Sequence, residues 1–265
     1  MKERIITGVL GAVGFLLIAY AGGWLYTGMM FLLAVLSFLE YAKMNRTPLT
    51  SLQTLIGVGI VALLFLSGLI KEHMLPTAAF LQDPAPMMCG LALYMVLIVL
   101  SRNRFDLFQM AYLFVGAIYI GYGFSYMMQT IWKPDGLTWS LLAILVTWAN
   151  DSGAYFIGKR WGQRKLWPDI SPNKTIEGSL GGVLFGLIMS LIICIVSGLG
   201  NIMFAIGIGL LITIVGQVGD LVESAWKRSV GVKDSGTILP GHGGVLDRFD
   251  SLIFTFIILY LFQVV

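Results

Sequence analysis

Long apolar runs repeat along the chain, and they restrict its fold more than any other sequence feature. A helix that crosses a bilayer needs about 20 mostly apolar residues, and several runs approach that length, separated by Gly, Pro and polar residues. The runs cover residues 5–20, 24–39, 52–70, 86–100, 107–128, 137–157, 178–198, 202–222 and 249–264. None resembles the short alternating strands of a membrane barrel. We therefore predict an all-α, polytopic integral membrane protein with about nine transmembrane helices.

The charged residues are too few for a soluble catalytic domain. Only 12% of the 265 residues are charged, against about 25% in typical soluble proteins. Nine spans of about 20 residues would use about 180 of them. Any chemistry is therefore expected at helix ends and short loops at the membrane surface. The net charge of +3 gives no support for a nucleic-acid partner, which calls for clustered basic charge.

The distribution of the cations predicts the orientation in the membrane. With a cytoplasmic N-terminus, 15 of the 17 Lys and Arg residues fall on inner segments, and only Lys71 and Lys133 fall outside. Nine of the 15 lie in the two inner loops near 158–177 and 223–248. Cytoplasmic loops of membrane proteins carry such an excess of basic residues. We predict a multi-pass plasma-membrane protein with its active site on the cytoplasmic face.

Acidic residues lie next to the apolar runs in three places. Their cost in a membrane means that each needs a partner, a cavity or an ion. Interfacial salt bridges would explain any one pair, but three pairs on one face favour a functional site. The spacing of Asp220 and Ser224 also places them on one helical face. The three pairs are Asn150 and Asp151, Asp220 and Glu223, and Asp247 and Asp250.

Two inner loops have the residue types that bind phosphate. Glycines at 241, 243 and 244 precede a helix start, where backbone amides and the helix dipole favour an anion. Interleaved carboxylates would weaken a simple anion site unless they hold a divalent cation, so the combination suits a nucleotide triphosphate with Mg²⁺. His242 either caps a turn or acts in the site, and we favour the site. The segment 171–178 is either a capping box or a second phosphate contact.

Three glycines recur at four-residue spacing in the seventh apolar run. Gly178, Gly182 and Gly186 share one helical face, which allows close approach of another backbone. We predict packing inside the protomer, with the seam of a homodimer as the alternative. Neither Cys89 nor Cys194 has the spacing of a disulfide framework or a zinc site.

The segment 224–250 resembles the signature of the phosphatidate cytidylyltransferase family, also called CDP-diglyceride synthases. The segments 150–155 and 171–178 are similar to family segments as well, so the resemblance covers roughly residues 140–260. The matching signature positions are Ser224, Lys227, Arg228, Lys233, Asp234, Gly236, Leu239, Pro240, His242, Gly243, Gly244, Asp247, Arg248, Phe249 and Asp250.

The resemblance implies Mg²⁺-dependent condensation of CTP with phosphatidate, which gives CDP-diacylglycerol and pyrophosphate. A second cation is an open alternative. The residues expected to act in catalysis are Asp220, Lys227, Asp247 and His242. Those expected to bind substrate are Ser171, Asn173, Lys174, Arg228, Lys233, Asp234, Gly243, Gly244 and Arg248. Those expected to bind metal are Asp220 and Asp247 first, then Asp250 and Asp151. On this hypothesis, residues 1–136 form a transmembrane scaffold and residues 137–265 carry the site.

Two other functions fit some of these features. A transporter or channel would also place carboxylates in a helical bundle, but would have them near mid-membrane. A CTP-dependent lipid kinase could use a similar nucleotide site, and would transfer the γ-phosphate and release CDP.

Overall fold

The protein is described from a computed structural model, which covers residues 2–72, 74–76, 81, 84–238 and 243–264. In these ranges the chain forms nine α-helices and one two-stranded antiparallel hairpin. The helices are α1 Lys2–Ala21, α2 Gly23–Met44, α3 Leu52–Lys71, α4 Ala85–Leu100, α5 Leu107–Trp132, α6 Gly136–Trp161, α7 Ile176–Ser197, α8 Ile202–Ser229 and α9 Leu246–Leu261. The strands are β1 Lys165–Trp167 and β2 Ser171–Thr175. The all-α prediction is confirmed, with the hairpin as a small addition.

Polar side chains start several of the helices at the points where the apolar runs begin. Ser51 accepts a hydrogen bond from the Thr54 amide at the start of α3, and Asp106 accepts one from the Gln109 amide at the start of α5. Asn201 does the same for α8. Such N-caps satisfy amides that have no partner within the helix.

Five helices are long and apolar enough to cross a membrane: α2, α3, α5, α7 and α8. Two shorter apolar helices, Leu10–Ala21 and Ala85–Leu100, accompany them in the described part of the chain. Large apolar side chains point outward, such as Val196 of α7, which is 83% exposed. The chain is therefore membrane-like. The full count of nine spans and the cytoplasmic N-terminus stay predictions.

Two helices continue well beyond the predicted spans. The sixth apolar run ends at residue 157 and the eighth at residue 222, but α6 extends to Trp161 and α8 to Ser229. The added turns contain Lys159, Arg160, Lys227 and Arg228, and cations stabilise the C-terminal end of a helix through its dipole. Asp151 and Asp220 consequently lie two or more turns inside their helices and not at the helix ends.

The chain divides into two compact units. The first contains Met1–Lys133 and Asp234–Arg248, and the second contains Pro134–Lys233 and Phe249–Val265. In the first unit α2, α3 and α5 pack around buried aromatic side chains that include Phe38, Phe65 and Phe124. The rings of Tyr41 and Tyr112 stack at 4.2 Å, and each hydroxyl donates to the other residue's carbonyl oxygen.

The second unit is built on the packing of α7 against α6 and α8. The predicted packing of the α7 glycines inside the protomer is confirmed. A β-carbon on Gly178 would lie 2.9 Å from the Ala154 carbonyl oxygen, and one on Gly182 would lie 2.8 Å from the Asn150 carbonyl oxygen. The absence of side chains at these two positions lets α7 approach the α6 backbone.

Candidate active site

A cavity of about 440 Å³ that is lined by both polar and apolar groups lies within the second unit. Helices α6, α7 and α8 and the β1–β2 hairpin form its walls. Most of its polar lining comes from segments that the sequence singles out. The lining residues are Asn150, Asp151, Ala154, Tyr155, Gly158, Lys159, Leu166, Asn173, Lys174, Thr175, Gly178, Ser179, Gln217 and Asp220.

An ion pair joins the hairpin to α8 at the cavity wall. The Lys174 Nζ atom on β2 lies 2.7 Å from the Asp220 Oδ2 atom on α8. The Ser224 hydroxyl, one turn further along α8, donates to Asp220 Oδ1 at 3.2 Å. The predicted shared face of Asp220 and Ser224 is therefore confirmed. The side chains of Lys174 and Asp220 are 26% and 33% exposed, so solvent reaches both and a ligand could replace either partner.

Two further contacts place Lys174 and its hairpin. The Thr175 side chain accepts a hydrogen bond from the Gly178 amide at 3.1 Å and so caps α7. Glu177 accepts hydrogen bonds from the amides of Gln163 and Arg164 at 3.0 and 3.2 Å. Because Glu177 bonds to the segment before β1, the reciprocal capping box is not formed. The capping residue and the acidic residue instead fix the two ends of the hairpin.

An amide network lines the cavity beside this ion pair. Gln217 Nε2 donates to Asn150 Oδ1 at 2.8 Å and to the Ser179 carbonyl oxygen at 3.1 Å. The Ser179 hydroxyl donates to Gln217 Oε1, and Asn150 Nδ2 donates to Asp151 Oδ1 at 3.3 Å. The network therefore connects α6, α7 and α8 and holds the Asp151 carboxylate. Gln217 lies inside the apolar run 202–222. The only sequence signal for its role is a polar amide among aliphatic neighbours.

Asp250 of α9 belongs to the same electrostatic group. Its carboxylate is repelled by those of Asp220 and Asp151 and attracted by the Lys227 ammonium. Helices α8 and α9 cross closely here, because a β-carbon on Gly219 would lie only 3.0 Å from the Asp250 carbonyl oxygen.

Glu223 and Lys227 form an ion pair along α8. The Glu223 carboxylate is fully buried and the Lys227 side chain is 12% exposed. A buried carboxylate needs such compensation. The two charges of this helical turn therefore compensate each other. The Asp220 carboxylate, one turn earlier on α8, stays accessible to solvent.

The part of the signature segment that belongs to the first unit, Asp234–Arg248, is organised differently. Asp247 Oδ2 accepts hydrogen bonds from the amides of Gly244 and Ser235 at 2.8 and 3.0 Å. Glu40 Oε2 accepts a hydrogen bond from the Leu246 amide at 3.0 Å. Glu40 lies on α2 and is 3% exposed. Sequence analysis missed Glu40, because it places this residue in the connection after a span that ends at residue 39.

The remaining predicted site residues fall in several places. His242 lies outside the described residues. Ser171 is on β2, and Arg228 donates to the carbonyl oxygens of Ile170 and Val232 at 3.3 and 3.1 Å. Of the predicted substrate and metal residues in the described ranges, the cavity lining brings together four, which are Asp151, Asn173, Lys174 and Asp220. Exposed side chains are found at Lys233, Asp234 and Arg248, and Gly243 has a φ of 82°, which favours glycine.

The carboxylates of the second unit suit a hard divalent cation. Mg²⁺ prefers oxygen ligands, and proteins usually hold it through one or two carboxylates together with substrate phosphates. Asp151, Asp220 and Asp250 supply carboxylates that interact electrostatically. Within the described ranges no three His, Cys, Asp or Glu side chains group closely enough to hold a metal by themselves. The arrangement therefore fits a Mg²⁺ ion that arrives with phosphate oxygens better than a closed protein site.

Comparison with known proteins identifies similar sequences over the whole chain. The model of the "Cytidylyltransferase family" matches residues 2–265. A phosphatidate cytidylyltransferase of Bacillus subtilis (strain 168) is 41% identical over 268 residues, covering 98% of this chain and 96% of the relative. The enzymes of the same name from Staphylococcus saprophyticus and from Staphylococcus aureus (strain COL) are each 38% identical, covering 96% of this chain and 95% of each relative.

Proposed function

The chain belongs to the cytidylyltransferase family, and we propose that it uses the cavity beside Lys174 and Asp220 to join CTP to phosphatidate. It is a nucleotidyltransferase of phospholipid biosynthesis whose products are CDP-diacylglycerol and pyrophosphate. The observation that carries the location of the site is the solvent-accessible ion pair of Lys174 and Asp220 at the wall of a cavity between apolar helices.

The proposed reaction is an in-line displacement at phosphorus. A phosphate oxygen of phosphatidate forms a bond to the α-phosphorus of CTP, and the bond from that phosphorus to the bridging oxygen of the β-phosphate breaks. Pyrophosphate leaves with the electron pair. The second pKa of a phosphate monoester is about 6, so the nucleophile is largely ionised at neutral pH. Catalysis then needs mainly positioning and charge stabilisation.

Lys174 is proposed to neutralise a substrate phosphate. Its Nζ atom is already held at the cavity wall by Asp220, so an incoming phosphate can replace a carboxylate as its partner without moving the hairpin. Asn173, next to it on β2, offers donors to the same ligand. Asp220 is proposed to act in catalysis together with Lys227.

Other role assignments rest on the family motif. Arg228, Ser171 and Lys233 are proposed to contact substrate in the second unit. In the first unit, Asp234, Gly243, Gly244 and Arg248 are proposed to bind substrate. Asp247 is proposed to act in catalysis and as a metal ligand there. His242 is proposed to contact phosphate or the leaving group.

Mg²⁺ is the proposed cofactor. Asp220, Asp250 and Asp151 would hold it in the second unit together with phosphate oxygens of the substrate, since Asp220 and Asp151 repel the Asp250 carboxylate and a cation would relieve that repulsion. When bound, the ion would offset negative charge on the phosphates. The protein's own part is to keep these carboxylates in place through Ser224, the amide network and the Ser251 amide, which donates to Asp250 Oδ1 at 2.7 Å. A second cation stays a prediction.

The membrane arrangement is also part of the proposal. We place the chain in the plasma membrane with nine spans, a cytoplasmic N-terminus and a cytoplasmic active site, supported by the 15 cations on predicted inner segments. Residues 1–136 are proposed as scaffold and residues 137–265 as the main catalytic part. A homodimer stays a prediction, which the mass of the purified protein in detergent would test.

The test of the function uses CTP labelled separately at the α- and γ-phosphates. The purified protein in detergent, given phosphatidate and Mg²⁺, should place the α label in lipid and the γ label in pyrophosphate. A γ label in lipid would instead identify a lipid kinase. No CTP-dependent product, in a preparation that folds, would contradict the enzymatic function and leave transport to be tested.

A further inference from the structure

A carboxylate buried on an apolar helix contacts the signature segment. Glu40 lies on α2, whose 22 residues meet the length and hydropathy of a membrane span, and it is 3% exposed. Ionisable residues in such helices are costly and are usually retained for function. The contacts of the Glu40 carboxylate oxygens therefore indicate its role.

The Glu40 carboxylate bonds to the backbone just before and at the start of α9. Its Oε2 atom accepts a hydrogen bond from the Leu246 amide at 3.0 Å and lies 3.5 Å from the Ser235 hydroxyl. The Val245 backbone also bonds to this carboxylate. Glu40 thus contacts two parts of the signature segment that are separated in sequence, one at Ser235 and one at Leu246.

Two signature glycines fit around the same carboxylate. A β-carbon on Gly244 would lie 2.5 Å from Glu40 Oε2, and a β-carbon on Gly236 would collide with Glu40 Oε1. Real β-carbons essentially never come that close. The Glu40 carboxylate occupies the space that a side chain at 236 would fill, and at 244 the Ser235 hydroxyl and the Glu40 carboxylate occupy it together. Alanine at either position would therefore displace these hydrogen-bonding groups.

Asp247 completes this arrangement. Its carboxylate accepts from the amides of Ser235 and Gly244, which are the residues that also pack on Glu40. The two carboxylates therefore hold one backbone conformation between them, and the orientation of Asp247 depends on the contacts that Glu40 makes.

We propose that Glu40 is a positioning residue, which acts from within α2 through the signature backbone to orient Asp247 for the reaction. The proposal rests on the proposed function for its catalytic consequence. The structural part of the proposal is that Glu40 fixes the backbone at Ser235, Gly244 and Leu246, and this part does not depend on the reaction that the protein catalyses.

The test compares Glu40→Ala, Glu40→Gln and a control, Glu72→Ala. Glu72 is a partly buried carboxylate of the same unit, 18% exposed, whose ion pair is with Lys133 at 3.9 Å. Amide hydrogen exchange is measured by mass spectrometry on peptides that contain Ser235, Gly244 and Leu246, with peptides of α3 as an internal reference. The rates of CDP-diacylglycerol formation give kcat and KM for the same samples.

We expect Glu40→Ala to speed exchange in the signature peptides about tenfold or more, since bonds to a charged acceptor are worth about 1.5–3 kcal/mol. Exchange in α3 should stay at its original rate. The kcat should fall about tenfold to a hundredfold, because small misplacements of a reacting group have effects of that size, while KM for CTP changes little. Glu40→Gln keeps one acceptor oxygen and should restore part of the protection and part of the kcat. Glu72→Ala should leave both unchanged.

Unchanged exchange in the signature peptides would overturn the proposal, and so would faster exchange with an unchanged kcat. Equal loss of protection in α3 would also overturn it, because the effect would then be on the whole fold. If Glu40→Ala is not recovered folded, the same criteria are applied to Glu40→Gln. Failure of the wild-type chain to form CDP-diacylglycerol would count against the proposed function alone, since the exchange result is obtained without substrate.

Discussion

The carboxylate of Asp220 is held by side chains, whereas that of Asp247 is held by backbone amides. Lys174 and Ser224 bond to Asp220 at the wall of the cavity, and the amides of Ser235 and Gly244 bond to Asp247 in the other unit. Replacing Asp220 therefore alters charge beside the cavity and leaves the backbone in place. Replacing Asp247 removes the acceptor that determines a backbone conformation.

Loss of Asp220 and loss of Asp247 should therefore have different structural effects although both are carboxylates. Activity alone would not distinguish them, because loss of either carboxylate should reduce turnover. A rate or a stability therefore has to be compared with that of a control variant from the same unit.

Asp220→Asn should lower kcat/KM about a hundredfold to a thousandfold, which is the usual effect of removing one electrostatic group from a reacting site. The thermal midpoint should change little, because Asp220 is partly exposed. Rates of pyrophosphate release at several CTP concentrations would measure the effect. Asp169→Asn, at an exposed residue between the strands, is the control. Near-normal release from a folded Asp220→Asn protein would rule out a catalytic role for Asp220.

Lys174→Ala should lower kcat/KM about tenfold to a hundredfold through loss of a phosphate contact. A rise in KM would mean that the contact already exists in the bound substrate, and a fall in kcat would place it in the transition state. Steady-state kinetics for CTP and phosphatidate separate these cases. Lys165→Ala, on the partner strand β1, should behave as wild type. Equal effects of the two variants would show that the hairpin contributes only general positive charge.

Gly244→Ala should reduce kcat about tenfold, because its β-carbon would meet the oxygens of Ser235 and Glu40 and shift the signature backbone. Gly59→Ala, in the same unit and with open space around its β-carbon position, is the matched control. Rates measured at saturating substrates and thermal midpoints would be compared for both. Wild-type turnover in Gly244→Ala would show that the backbone conformation there is unimportant for the reaction.

Gly178→Ala should destabilise the second unit by about 1–3 kcal/mol, the usual effect of overpacking, because the new methyl would press on α6. Gly207→Ala on α8 faces open space and should be neutral or stabilising by up to about 1 kcal/mol, since alanine favours helix. Thermal unfolding in detergent measures both. A Gly178→Ala protein as stable as wild type would contradict the close packing of α6 and α7.

The helices could be predicted from the sequence because apolar runs and polar breaks report directly on them. The hairpin could not, because the polar segment before Thr175 has no alternating pattern and its fold depends on Glu177 bonding to Gln163 and Arg164. The sequence pattern places Glu40 in a connection because a carboxylate after an apolar run normally marks the end of that run, but the helix continues to Met44. The backbone of Leu246 and Val245 stabilises that carboxylate by hydrogen bonds.

The charged residues of the candidate site could be predicted from the sequence, but its uncharged residues could not. Charge next to apolar runs indicates Asp220 and Asp151, and a lysine in a polar loop indicates Lys174; the cavity brings the three together. Gln217 and Ser179 are uncharged and of ordinary type, so their importance appears only when α7 and α8 pack and the two side chains meet.

Amide hydrogen exchange at Gly244 tests most directly the claim that the two carboxylates have different tasks. The measurement compares wild-type protein with Asp220→Ala and Asp247→Ala. We expect Asp247→Ala to speed exchange at Gly244 about tenfold or more, since the bond to a charged acceptor is lost, and Asp220→Ala to leave that rate unchanged. Wild-type protection in Asp247→Ala, or the same loss in both variants, would contradict the account.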